Sequence, residues 1–241
     1  MKKSSPTIYD AVIFDMDGVI IDSKEHVEKF WLQKLEQYNI DPPTENRELK
    51  FHGRPARPTV NDLFAELPEE TREKIITECA EYDASVTNYK MISGAESFIK
   101  ECFDADIRIG LVTSALPGKV NRMLEGLSFP SPFEVMVTAD QVTNGKPDPE
   151  CYLKAADKLN INPKKIVVFE DSIAGVKAAA GAGATVVGVN DNHLAQPLLA
   201  AGANKIIQDF TSAAVQHKDG EIFVVPNKHE DRNRLLLQTH R

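Results

Sequence analysis

The residues with the clearest capacity for chemistry stand at the ends of two apolar runs. Ala11-Val12-Ile13-Phe14 is followed at once by Asp15-Met16-Asp17-Gly18. A short unbroken apolar run reads as a strand buried on both faces. Side chains alternate along extended chain, so Asp15 and Asp17 project to roughly one side just past the strand's carboxyl end. That edge is where ligands bind in open parallel sheets. Gly18 permits a turn that a Cβ would hinder, letting the backbone curl over whatever the aspartates hold. Val167-Val168-Phe169-Glu170-Asp171-Ser172 repeats the design. Carboxylates gathered from two strand ends repel one another unless a cation sits between them. Hard oxygen ligands of this kind suit Mg²⁺.

Two further segments bear on the same edge. Thr113-Ser114 follows the apolar run that begins at Ile107; the pair either caps the next helix or presents two hydroxyls beside Asp15. Asn144-Gly145-Lys146-Pro147-Asp148-Pro149-Glu150 sets Lys146 in a loop braced by two prolines, as a solvated charge or as a site cation. Two glycine motifs are set aside. Gly181-Ala182-Gly183-Ala184 precedes a strand, whereas a dinucleotide fingerprint follows one, and Gly145-Lys146 lacks the upstream glycine and downstream hydroxyl of a P-loop.

The elements that must position these residues are legible from periodicity. Val27, Phe30, Trp31 and Leu35 predict a helix from Ser23, a candidate N-cap, to about Tyr38. Val60-Leu63-Phe64-Leu67 and Ile75-Ile76-Cys79-Tyr82 predict two more amphipathic helices, so residues 23–92 read as all-helical. After Ser93-Gly94 the pattern becomes helix, strand, helix, strand, with predicted strands at 107–113, 134–138, 165–169 and 184–189 and predicted helices at 95–103, 118–127, 149–159 and 174–181. Such alternation implies βαβ units and a parallel sheet. The expected architecture is α/β: a Rossmann-like parallel core of residues 1–22 plus 93–241, with an all-helical domain of residues 23–92 inserted after the first strand. Ile206-Ile207 reads as a last short strand, Asp219-Gly220 as a turn before an extended Ile222–Val225, and His229–Arg241 as a charged tail that frays.

Composition narrows the partners. The chain has 241 residues, 42% of them apolar, and a formal charge of -8, which disfavours a nucleic acid or an anionic membrane surface as partner. Cys79, Cys102 and Cys151 form no C-x-x-C pair, so a disulfide framework or structural zinc is not expected and a reducing cytoplasmic setting fits. The apolar run after Lys2-Lys3 is cut short by Asp15 and is not read as a secretory signal. No run reaches transmembrane length. A monomer is expected.

In order along the chain, Asp15-Met16-Asp17, Thr113, Lys146 and Glu170-Asp171 resemble the motifs of the haloacid dehalogenase superfamily. That resemblance implies an Mg²⁺-dependent enzyme in which Asp15 is an anionic nucleophile that forms an aspartyl-phosphate and Asp17 is general acid and then base. It further implies that Thr113 and Ser114 hold phosphoryl oxygens, that Lys146 neutralises charge, and that Asp15, the Asp17 carbonyl, Asp171 and neighbouring Glu170 hold the metal. The insertion resembles the small cap of the branch that contains β-phosphoglucomutase and the sugar and polyol phosphatases; His52-Gly53-Arg54 and Thr138–Glu150 are most similar to glycerol-phosphate and deoxysugar-phosphate phosphatases. Ser23, His26, Arg54 and Arg57 are the candidate cap contacts to substrate. The mutases of this branch keep a histidine where this chain has Val27, with His26 one residue early. The implied reaction is therefore hydrolysis of a small phosphorylated metabolite, with the mutase as the alternative.

Overall fold

The computed structural model describes residues 8–44, 50–52, 54–86, 88–190, 194–218, 221–225 and 235–237. Ala11–Phe14 (β2) is buried on both faces, as its four apolar residues require. It lies inside a six-stranded sheet. On one side it pairs with Arg108–Val112 (β5), which pairs with Val135–Val137 (β6); on the other it pairs with Ile166–Glu170 (β7), followed by Thr185–Val189 (β8) and Lys205–Ile207 (β9). All five pairings are parallel. The chain builds outward through β5 and β6, then returns to the opposite side of β2 for β7. The topological switch point, and with it the crevice beyond the strand ends, therefore falls at the carboxyl end of β2.

Helices cover both faces of this sheet. Ala95–Asp104 (α4) and Pro117–Glu125 (α5) seal one face around Phe14, Phe98, Val120 and Met123. There Phe14 stacks on Phe169 at 5.1 Å between ring centroids, and Phe98 meets both edge-on. Glu150–Leu159 (α6), Ile173–Ala182 (α7) and Ala195–Ala201 (α8) seal the other face around Ile13, Tyr152, Val168 and Leu198.

Between β2 and α4 the chain forms Lys24–Gln37 (α1), Ala56–Leu63 (α2) and Glu69–Ser85 (α3), which share a separate apolar cluster of Phe30, Trp31, Leu35, Phe51, Val60, Phe64 and Ile75. The segment is not purely helical: Lys90–Met91 (β4) pairs antiparallel with Ile21–Asp22 (β3), tying exit to entry. The tail also departs from expectation. Leu235–Leu237 (β12) pairs with Ile8–Tyr9 (β1) and with Glu221–Val225 (β11), which pairs with Ala214–Lys218 (β10), because its apolar triplet has strand edges on both sides to satisfy its backbone. The Asp219-Gly220 turn and the rest of the expected frayed stretch lie outside the described residues. Among the described residues no helix is long and apolar enough to cross a membrane.

Candidate active site

The carboxyl edge of the sheet assembles one compact cluster. The Asp15 backbone N–H bonds the Phe169 carbonyl at 2.9 Å, and that of Thr113 bonds the Val137 carbonyl at 2.9 Å, so both residues leave the sheet in register with their neighbours. The Lys146 ammonium donates to Asp15 Oδ1 at 2.5 Å and to Glu170 Oε1 at 2.6 Å, and lies 5.2 Å from the centre of the Tyr152 ring. Lys146 is only 8% exposed. It is therefore a buried charge paired with two carboxylates and not a solvated surface one.

Ligand oxygens of Asp15, Glu170 and Asp171 lie within 4.8 Å of one another, all buried. Their roles separate at once. Glu170 Oε1 accepts from Lys146 and from the Tyr152 hydroxyl at 3.0 Å, while Oε2 accepts the backbone N–H and hydroxyl of Ser172 at 3.0 and 3.1 Å. Both of its oxygens are thus engaged by protein donors. The Ser172 hydroxyl in turn accepts the Gly175 N–H at 3.0 Å and caps α7. A Cβ on Gly175 would lie 1.6 Å from Glu170 Oε1, so only glycine lets the helix start so close to that carboxylate. Gly18 does the same for Asp171: with φ +77°, its imagined Cβ falls 1.9 Å from Asp171 Oδ2. Its N–H closes the turn onto the Ile21 carbonyl at 2.7 Å.

Burial pushes Asp15 up to about 8 although Lys146 opposes the shift, and Glu170 and Asp17 add to it. Burial also raises Asp171 well above the usual carboxylate range, with Glu170 and Asp15 adding to it. Burial disfavours the charged form of Lys146, yet Asp15 and Glu170 more than offset this and hold it firmly protonated. Ionising all three buried carboxylates against one ammonium would leave uncompensated negative charge in a set of hard oxygen donors, which is why burial favours the neutral forms of Asp15 and Asp171 here. A divalent cation fits that deficit.

Above the cluster opens a cavity of about 530 Å³, walled by core and cap residues alike. Asp15, Asp17, Thr113, Ser114, Lys146, Asp171, Ser23 and Arg54 all line it. Thr113 does not cap α5, whose N-cap position is Leu116; its hydroxyl oxygen accepts the Ala115 N–H at 3.0 Å instead, beside exposed Ser114. Ser23 stands at the N-cap of α1 but makes no side-chain capping bond, and is buried in the cavity wall. Arg54 reaches the wall while donating to Asp62 at 2.9 Å. Arg57 is not brought to the site: it lies exposed in the first turn of α2, whereas Arg54 precedes that helix, and it forms a bidentate pair with Glu73 of α3. His26 stacks on Tyr82 with ring centroids 4.3 Å apart, while Val27 faces the cavity. Burial lowers the His26 pKa, against the pull of Asp83.

Sequence reasoning missed Lys119, whose ammonium lies 2.8 Å from Asp17 Oδ1 and 2.8 Å from Asp83 Oδ1. Burial works against its charge, but the two carboxylates outweigh it and raise its pKa. One signal was present: Lys119 sits in the first turn of α5, where the helix dipole disfavours a cation, so something else must compensate it there.

Fold and site together define an α/β enzyme with an acidic, lysine-braced centre at the carboxyl edge of a parallel sheet, beneath a helical insertion. Residues 12–189 match the haloacid dehalogenase-like hydrolases, and the chain belongs to that family. It is 30% identical over 213 residues to the validoxylamine A 7'-phosphate phosphatase of Streptomyces hygroscopicus subsp. limoneus, covering 87% of this chain and 98% of that one. It is 33% identical over 216 residues to a phosphorylated carbohydrates phosphatase of Thermotoga maritima, covering 83% and 94%. The crystal structure of a putative β-phosphoglucomutase from Thermotoga maritima superposes with a TM-score of 0.60 at 35% identity, covering 82% of this chain and 94% of that one.

Proposed function

We propose that this protein is a phosphatase of small phosphorylated sugars or polyols that works through an aspartyl-phosphate on Asp15. The observation that carries the reading is the geometry around Asp15: a buried carboxylate bonded to Lys146, with Asp17 and a roomy cavity on its open side. A relative named as a phosphorylated carbohydrates phosphatase, 94% of whose length is matched, supports the substrate class, and the relative named as a validoxylamine A 7'-phosphate phosphatase supports phosphatase chemistry.

In the first half-reaction an Asp15 oxygen attacks phosphorus and the bond to the leaving oxygen breaks. The Asp17 carboxylic acid delivers a proton to that oxygen, releasing an alcohol. In the second, water attacks the phosphorus, Asp17 takes its proton, and the bond to Asp15 breaks to release phosphate. Lys146 offsets negative charge on the transferring oxygens. Thr113, Ser114 and neighbouring backbone N–H groups bind those oxygens. Glu170, saturated by Lys146, Tyr152 and Ser172, holds Lys146 in place and is less suited to ligation than Asp171. Asp15, Asp171 and the Asp17 main chain would hold Mg²⁺, which when bound supplies the charge neutralisation that the cluster lacks and makes Asp15 an anion at working pH. The helices of residues 23–92 act as a cap that closes the cavity from water, with Ser23 and Arg54 facing the leaving group.

Hydrolysis is favoured over phosphosugar isomerisation because Val27 offers the cavity no hydrogen bond and His26 is turned onto Tyr82. The test is phosphate release from a panel of sugar and polyol phosphates with Mg²⁺, run beside Asp15→Asn. The wild type should turn over and the variant, nearly isosteric, should fold yet release no phosphate. Substantial turnover by Asp15→Asn, or glucose 6-phosphate formed from β-glucose 1-phosphate much faster than phosphate, overturns the reading.

A further inference from the structure

Three segments that are remote in sequence meet at the Lys119 ammonium. Asp17 comes from the loop after β2, Lys119 from the first turn of α5, and Asp83 from the last turn of α3 in the cap. Both carboxylate contacts are 2.8 Å, and the lysine side chain is 8% exposed where those of Asp17 and Asp83 are 34% and 32% exposed. Arg122, one turn further along α5, donates to the Asp83 carbonyl at 2.9 Å and lies 3.8 Å from its carboxylate. The Tyr89 ring lies 5.5 Å from the Lys119 ammonium and shields it. The cap helix end is thereby fastened to the core at the side chain proposed to move the proton.

We propose that Lys119 is the positioning residue for Asp17, and that Asp83 makes its hold depend on the cap being seated. The proposal rests on the reading of Asp17 as general acid and base. A group that transfers a proton must be held to within about half an ångström of the productive geometry. Asp17 is a third exposed on a loop, and a carboxylate so placed has several rotamers open to it. A buried ammonium with a second carboxylate partner removes that freedom. When the cap lifts, Asp83 leaves with α3 and Lys119 loses the partner that fixes its own position. Proton delivery is then complete only when the cap is closed over a substrate, which keeps the aspartyl-phosphate chemistry from running with the cavity open.

The test compares leaving groups, because a structural role would not distinguish them. Full-length Lys119→Met, Lys119→Arg, Asp83→Asn and Asp17→Asn are assayed with Mg²⁺ on p-nitrophenyl phosphate, whose leaving group departs without help, and on phenyl phosphate, which needs a proton. Because the hydrolysis of the aspartyl-phosphate is common to both esters, the readout is kcat/KM, which reports only the first half-reaction: Lys119→Met should lose about 10²-fold in kcat/KM on phenyl phosphate, the scale of general-acid assistance, and only a few-fold on p-nitrophenyl phosphate. Lys119→Arg should recover most of the loss, and Asp83→Asn should show the same selectivity at about tenfold. Equal losses on both esters in Lys119→Met, with Asp17→Asn selective, overturn the positioning role and leave the acid–base reading standing. An unselective Asp17→Asn overturns the acid–base reading and this proposal with it. If Lys119→Met does not fold, Asp83→Asn decides: an unchanged ratio between the two esters refutes the coupling to the cap.

Discussion

Gly18→Ala tests whether the turn after the first strand is built to seat Asp171. The backbone at Gly18 has φ +77°, a conformation that costs an L-residue about 1–2 kcal/mol. A Cβ there would lie 1.9 Å from Asp171 Oδ2 and 2.4 Å from its Cγ, against the 3.0 Å below which real Cβ contacts essentially never fall. The contact must therefore open by about an ångström. Asp171 is buried beneath the turn, with β7 behind it, so the movement is shared between its carboxylate and the Asp17–Gly18 backbone. Both are proposed to hold the cation. Misplacement on that scale costs roughly 10²-fold in rate. The expected outcome is a kcat lowered about 10²-fold together with a higher Mg²⁺ concentration for half-activation, while the melting temperature falls only by the few degrees that about 1–2 kcal/mol produces. Steady-state phosphate release across a Mg²⁺ titration, with calorimetry on the same samples, measures both. A variant within twofold of wild type in kcat and Mg²⁺ requirement would show that Asp171 and the turn are not seated against each other as described.

The ion-free protein should lose stability as pH rises. Asp15 is held at about 8 when folded, far above its free value of about 4, so the folded chain binds the proton more tightly and the stability this confers is lost between those limits. Raised Asp171 acts in the same direction, and the raised lysines alter the balance only in the alkaline range. Melting temperatures at about pH 5.5 and about pH 8 should fall with pH in chelator, and Mg²⁺ should recover more at the higher pH; a rise with pH in chelator contradicts the cluster. In the cap, Arg54→Ala should raise KM about tenfold by removing a cation from the cavity wall, whereas Arg57→Ala should leave kcat and KM unchanged, and kinetics of the two variants on one accepted phosphate ester decide whether the assignments are reversed.

Local pattern carried much of this protein. Apolar runs ending in Asp15-Met16-Asp17 and Glu170-Asp171 could be read as buried strands with acidic ends, because burial on both faces demands continuous apolar side chains and a parallel sheet gathers those ends on one edge. The helices Lys24–Gln37, Ala95–Asp104, Pro117–Glu125, Glu150–Leu159 and Ile173–Ala182 were legible to within a residue or two, since each presents its apolar stripe to one neighbour, whereas the Val60–Leu67 pattern overran Ala56–Leu63 and Ala195–Ala201 was not anticipated. Other features depended on what lies across space. By its own neighbours Lys146 was an ordinary loop lysine, singled out only by the motif resemblance, and it is the fold that buries it between Asp15 and Glu170. Arg54 and Arg57 were equivalent in the sequence, and the direction each faces on the cap separates cavity from surface. Leu235–Leu237 became a strand because β1 and β11 leave edges for it to join, which no property of a charged tail announces. Lys119 and Asp83 meet only because the cap folds back onto α5, so that two charges, each an ordinary surface residue by its own neighbours, find their partners in a contact between segments that sequence proximity does not connect.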